Sequence, residues 1–154
     1  MRHARAFTLI ELVMTVAIIA LLTSIALPLA EIASRRTAEQ QLRVALRDIR
    51  TALDAYKQAA DEGRIALPPG ASGYPRKLED LVDGVTDARA PRGEKIYFLR
   101  RLPRDPLAPA DTPSAWGKRS YRSPPAAPEE GDDVFDIYSL AAGVGLNGVP
   151  YRAW

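Results

Sequence analysis

The chain has 154 residues, 21 of them basic and 19 acidic, with no cysteine and one histidine, His3. That length suits one domain with a modest core; the missing thiols and a histidine confined to the N-terminal tip exclude disulfide frameworks, thiolate zinc sites and cysteine- or histidine-based catalysis. Arg2 and Arg5 account for the whole basic excess, so the rest of the chain is neutral and offers no electrostatic footprint for nucleic acid.

From Phe7 to Leu29 the only formal charge is Glu11. As a helix this run spans roughly 35 Å at ~1.5 Å per residue, enough to cross a hydrocarbon core about 30 Å thick. Arg2, His3 and Arg5 precede it, so the basic tip is expected in the cytoplasm and everything after Leu29 on the far side. A cleaved secretory signal is the competing reading, with Ser24-Ile25-Ala26 as its cleavage site and a mature start near Leu27. Glu11 argues against it: an unpaired carboxylate there costs about 3 kcal/mol on insertion, and a signal peptide has no use for it. The helix-compatible sequence also runs on past Leu29 without a loop-like break.

Ala6-Phe7-Thr8-Leu9-Ile10-Glu11-Leu12, behind a short basic leader, resembles the type IV pilin and pseudopilin family. The resemblance implies that a prepilin peptidase cuts between Ala6 and Phe7 and that the new Phe7 amine is methylated; Ala6 stands where the family usually has glycine. Cleavage would place a positive amine in apolar surroundings, where Glu11 of a neighbouring copy can compensate it. Pairing of this kind sets register even where its net stabilisation is small. Glu11 is therefore expected to align subunits in a filament. Pro28 falls where the family carries a helix-kinking proline, and a proline there removes the bond to the Ser24 carbonyl. It predicts either a bend between Ser24 and Pro28 or the end of the first helix.

Beyond Pro28, apolar residues at Leu42, Leu46, Ile49, Leu53 and Tyr56 mark one face of an amphipathic helix over 30–62 that ends at Gly63. Arg35, Arg36, Arg43, Arg47 and Arg50 alternate with Glu39, Asp48 and Asp54, which predicts a solvated face with pairs inside the helix. A short helix is expected at Lys77–Val82, then strands at Lys95–Leu99, Lys118–Arg122 and Val134–Ser139. The proline-rich linkers Leu102–Pro113 and Pro124–Pro128 separate the strands. The predicted class is α+β: a long N-terminal helix, apolar in its first half and amphipathic in its second, packed on a small antiparallel sheet over 95–139, with a C-terminal loop at 140–154.

Gly73-Tyr74-Pro75, Leu78-Glu79-Asp80-Leu81, Leu102-Pro103-Arg104-Asp105-Pro106, Trp116-Gly117, Asp133 to Ser139 and Trp154 follow in an order similar to the major pseudopilin of type II secretion. Such proteins hold calcium near the C-terminus, but the matching loop here, Ala141 to Gly148, has no carboxylate. Asp133 and Asp136 are expected on opposite faces of a strand. No metal or cofactor is expected, and the loop is expected to be pinned by Tyr151 and Trp154. Nor is a catalytic residue: Glu129-Glu130 and Asp132-Asp133 read as solvated charge, and Ser139 has no histidine to activate it.

The resemblance thus implies a precursor with leader 1–6, membrane and filament-core helix 7–29 and periplasmic domain 30–154, held by a single pass in a bacterial inner membrane. Its partners would be copies of itself, other pseudopilins, the prepilin peptidase, and an inner-membrane platform with its ATPase. A minor type IV pilin is the nearest alternative, and a secreted soluble binding domain a more distant one.

Overall fold

A computed structural model describes residues 8–109 and 116–154. The chain divides into two compact units, Met1–Thr37 and Ala38–Trp154. The helix α1 runs Leu9–Asp61 and contributes to both. Among the described residues the first unit is helix alone. It starts at Thr8, whose Oγ1 accepts the Glu11 amide at 3.3 Å while the Thr8 carbonyl accepts the Leu12 amide. A Thr-x-x-Glu start of this kind satisfies amides that a helix terminus otherwise leaves open. The hydroxyls of Thr15 and Thr23 donate to the carbonyls of Leu12 and Ile19, so polar side chains in the apolar stretch are bonded within the helix.

In the second unit, α1 buries Leu42, Leu46, Ile49, Leu53 and Tyr56, the predicted stripe, together with Ala45, Ala52, Ala59 and Ala60. Its end is built on Gly63, which takes φ +72°, a conformation that penalises any side chain. The Gly63 amide donates to the Ala60 carbonyl and the Arg64 amide to the Ala59 carbonyl, the paired bonds of a Schellman cap. Against the stripe pack Leu78, Leu81, Trp116, Val134, Ile137 and Tyr151, and the Tyr56 and Phe98 rings meet at 5.3 Å. The short helix, α2, is Asp80–Asp83, later than expected because turns at Lys77 and Leu78 lead into it.

The architecture is α+β, as expected, but the single sheet divides into two ribbons. The first pairs β1 (Val85–Thr86) with β2 (Lys95–Ile96), and the second pairs β3 (Trp116–Arg119) with β4 (Asp136–Ser139), both antiparallel. The short strand Val85–Thr86 had no signal in the sequence. β2 stops at Ile96 because the Phe98 and Leu99 amides turn to the Leu81 carbonyl. β3 begins and ends earlier than predicted, because the Ser120 amide donates to Glu129 and a turn closes at Ser123. Val134 and Phe135 precede β4, bonded to the carbonyls of Pro75 and Arg119. Part of the linker 102–113 lies outside the described residues. Its first half is fixed by the Trp116 indole, which donates to the Pro103 carbonyl, and by buried Asp105, which accepts the Ser139 hydroxyl at 2.6 Å.

Candidate functional site

The N-terminal stretch has the composition of a core and the exposure of a surface. From Leu9 to Leu29 every large apolar side chain is between 55 and 83 % exposed. An 18-residue window of α1 reaches a mean hydropathy of 2.5 and none of it is buried. A helix that is apolar all round needs an apolar environment, a membrane or other helices like itself. By length and composition this one is able to cross a bilayer.

Ala6 and Phe7, the expected processing site, lie outside the described residues. Glu11 sits in the first turn of α1, where a carboxylate is favoured by the helix dipole. Pro28 lies inside α1, so the helix does not end there. That disposes of the reading in which Pro28 terminates the first helix.

The larger polar construction is in the second unit, where α1 holds the C-terminal segment. Glu39 is 3 % exposed, and its Oε1 accepts both the Leu146 amide at 2.8 Å and the Tyr151 hydroxyl at 2.9 Å. One turn on, the Arg43 guanidinium stacks over the Trp154 ring, 4.5 Å from its centroid. Arg50 donates from Nε to Asp136 at 2.8 Å, and from Nη2 to the carbonyls of Ile137 and Trp154. Asp136 also meets Arg119 at 3.3 Å. The expectation of a solvated arginine face with pairs inside the helix is therefore corrected for Glu39, Arg43 and Arg50, which reach across to the C-terminal segment. A signal for Glu39 existed: it precedes Leu42 by three residues, in phase with the buried stripe, where a lone carboxylate requires donors.

The segment these residues hold is the glycine-rich loop, pinned as expected by Tyr151 and Trp154. The Tyr151 amide donates to the Gly143 carbonyl, the Trp154 indole donates to the Val149 carbonyl, and Tyr151 opens a 3₁₀ turn at Tyr151–Ala153. Gly145 lies so close to the Trp154 ring that an added Cβ would come within 2.3 Å of it.

Asp133 lies ahead of β4 and not on it, so the expected alternation along one strand does not apply; it and Asp136 have separate partners. Asp133 Oδ1 accepts the Ser120 hydroxyl at 2.8 Å and the Tyr121 amide at 2.9 Å. Burial works to raise its pKa, but hydrogen bonds from Ser72, the Tyr121 amide and Ser120 outweigh burial and hold it below the ordinary 3.8. A carboxyl whose pKa is depressed by folding adds stability above its unfolded value, lost as the pH falls through the folded one. Acid titration below pH 3.8 should therefore unfold the wild type more steeply than Asp133→Asn, read as the pH dependence of the thermal midpoint. Asp87 contributes with the same sign through its bonds from Arg64.

Among the described residues no group of three or more histidine, cysteine, aspartate or glutamate side chains could hold a metal ion. Residues 1–27 match the family model described as the prokaryotic N-terminal methylation motif. No curated protein and no solved structure matches the chain. The motif supports the pilin and pseudopilin family: it indicates a type IV pilin-like protein, processed by a prepilin peptidase and assembling into filaments. It points to a structural protein and not to an enzyme. With the apolar helix that follows, the leader fits a membrane-anchored protein.

Proposed function

We propose that this chain is a structural subunit of a type II secretion pseudopilus, a periplasmic helical filament that supports protein export across the outer membrane. The observation that carries this reading is the methylation motif at 1–27 running into a helix whose apolar surface is uncovered from Leu9 to Leu29. In the precursor, residues 1–6 are the leader, 7–29 the membrane helix and 30–154 the periplasmic domain. The peptidase cuts between Ala6 and Phe7, the Phe7 amine is methylated, and Glu11 of a neighbouring copy meets that amine in the filament core. Pro28 supplies a local bend where the Ser24 carbonyl loses its helical donor. An inner-membrane platform and a cytoplasmic ATPase drive addition of subunits, alongside other pseudopilins. The order of Tyr74, Leu81, Trp116, Tyr138 and Trp154 motifs favours a secretion pseudopilin over a pilus subunit.

Deleting the gene and following both secreted protein and surface fibres tests the assignment. The expected result is exported proteins retained in the periplasm with surface pili unchanged. Loss of surface fibres with export intact would instead assign the chain to a type IV pilus.

A further inference from the structure

The second unit carries two exposed patches of opposite chemistry, at different levels along α1. On the outward side of the helix, Gln40, Val44, Arg47, Thr51 and Ala55 form an exposed stripe at helical spacing, opposite the buried face. Val44 is 54 % exposed, and Arg43 and Arg47 flank it one residue before and three after.

The second patch is the loop after β3. Pro124, Pro125, Ala126 and Ala127 are exposed and run into exposed Glu129 and Glu130. The loop is braced from within: Ser123 Oγ donates to the Ala127 carbonyl and accepts the Glu129 amide at 2.8 Å, while the Glu129 carbonyl accepts the Ser120 amide. The backbone that carries its apolar ridge is thus held in a set conformation, which lowers the ordering cost of docking, and Glu130 at its end lies 3.8 Å from Lys118. Beside it Tyr121 stacks on Tyr74, which Lys57 overlies at 6.0 Å. That puts the loop near Lys57, 13 residues or ~20 Å along the helix from Val44.

We infer that a second copy of this chain seats its Pro124–Glu130 loop on α1 at Val44, with Glu129 and Glu130 against Arg47. The loop's apolar ridge meets Val44 and its carboxylates meet the Arg47 guanidinium, the complementarity that fixes partner and register. Because the two patches differ and sit at different levels, the contact is heterologous. Each copy keeps a loop and a stripe free for the next, so it propagates as an open filament instead of closing as a dimer. This inference rests on the filament reading above and supplies a contact between periplasmic domains.

The test uses the full-length chain in cells that process and assemble it. Because the chain has no native cysteine, Arg47→Cys with Glu130→Cys introduces the only thiols. A short bis-maleimide should link filaments into a ladder of dimers, trimers and higher species, while either single substitution gives none. In parallel, Arg47→Glu and the pair Glu129→Arg/Glu130→Arg should each lower filament yield about ten-fold. Combining the three should restore it to within about three-fold of wild type, which also shows that the variants fold. Filaments at normal yield without a ladder, a product stopping at dimer, or a triple variant no better than its parents would overturn this contact and leave the filament reading standing. Absence of any filament from the processed wild-type chain would overturn both.

Discussion

Glu11→Leu is expected to leave membrane insertion and leader cleavage intact while lowering filament yield at least a hundred-fold. Taken alone, the substitution should help the chain: it removes a carboxylate that costs about 3 kcal/mol to insert. The loss arises after cleavage. In the proposed filament the Phe7 amine would enter a bundle of helices whose apolar side chains are uncovered from Leu9 to Leu29 in the single chain, and without Glu11 it would have no counter-charge there. Removing one partner of a buried ion pair costs about 3–5 kcal/mol, and each 1.4 kcal/mol is a factor of ten in an equilibrium. Glu11→Gln should fall in between, since it retains an acceptor without the charge. The check is the ratio of filamentous to membrane-held subunit, measured with cleavage followed in the same cells. Unchanged yield in Glu11→Leu would mean that Glu11 merely reaches toward head groups.

Glu39→Ala should destabilise the second unit by roughly 3 kcal/mol, because the buried Tyr151 hydroxyl and the part-buried Leu146 amide lose their acceptor at once. For a domain of this size that lowers the thermal midpoint by roughly 10–20 °C. Glu39→Gln keeps an oxygen acceptor and should lose about half as much. The change should be concentrated in the C-terminal segment, so amide exchange at Leu146 and tryptic cleavage after Arg152 should both accelerate before the midpoint is reached. Equal protection in wild type and Glu39→Ala would show that Arg43 and Arg50 suffice to hold the segment.

The parts of the fold that were legible in the sequence are those with periodicity. Leu42, Leu46, Ile49, Leu53 and Tyr56 repeat at helical spacing over several turns, and Gly63 ends that pattern with the one residue type that accepts its dihedral angle freely. The leader was legible because charge, carboxylate and uninterrupted apolar run coincide. The ribbons were poorly legible: strands of two and four residues are too short to show an alternation, and their ends are set by distant acceptors such as the Leu81 carbonyl. The roles of Arg43 and Arg50 were hidden for a related reason. Their partners lie about a hundred residues away in Trp154, and an exposed guanidinium on a helix reads the same whether it faces water or a tertiary carbonyl.

Processing at Phe7 underlies the proposed function above all, and the mass of the mature protein measures it. Purified from membranes or filaments, the chain should begin at Phe7, lighter by the six residues Met1 to Ala6 and heavier by one methyl group on its amine. A filament-forming chain that still carries Met1, or a mature chain beginning near Leu27, would contradict it.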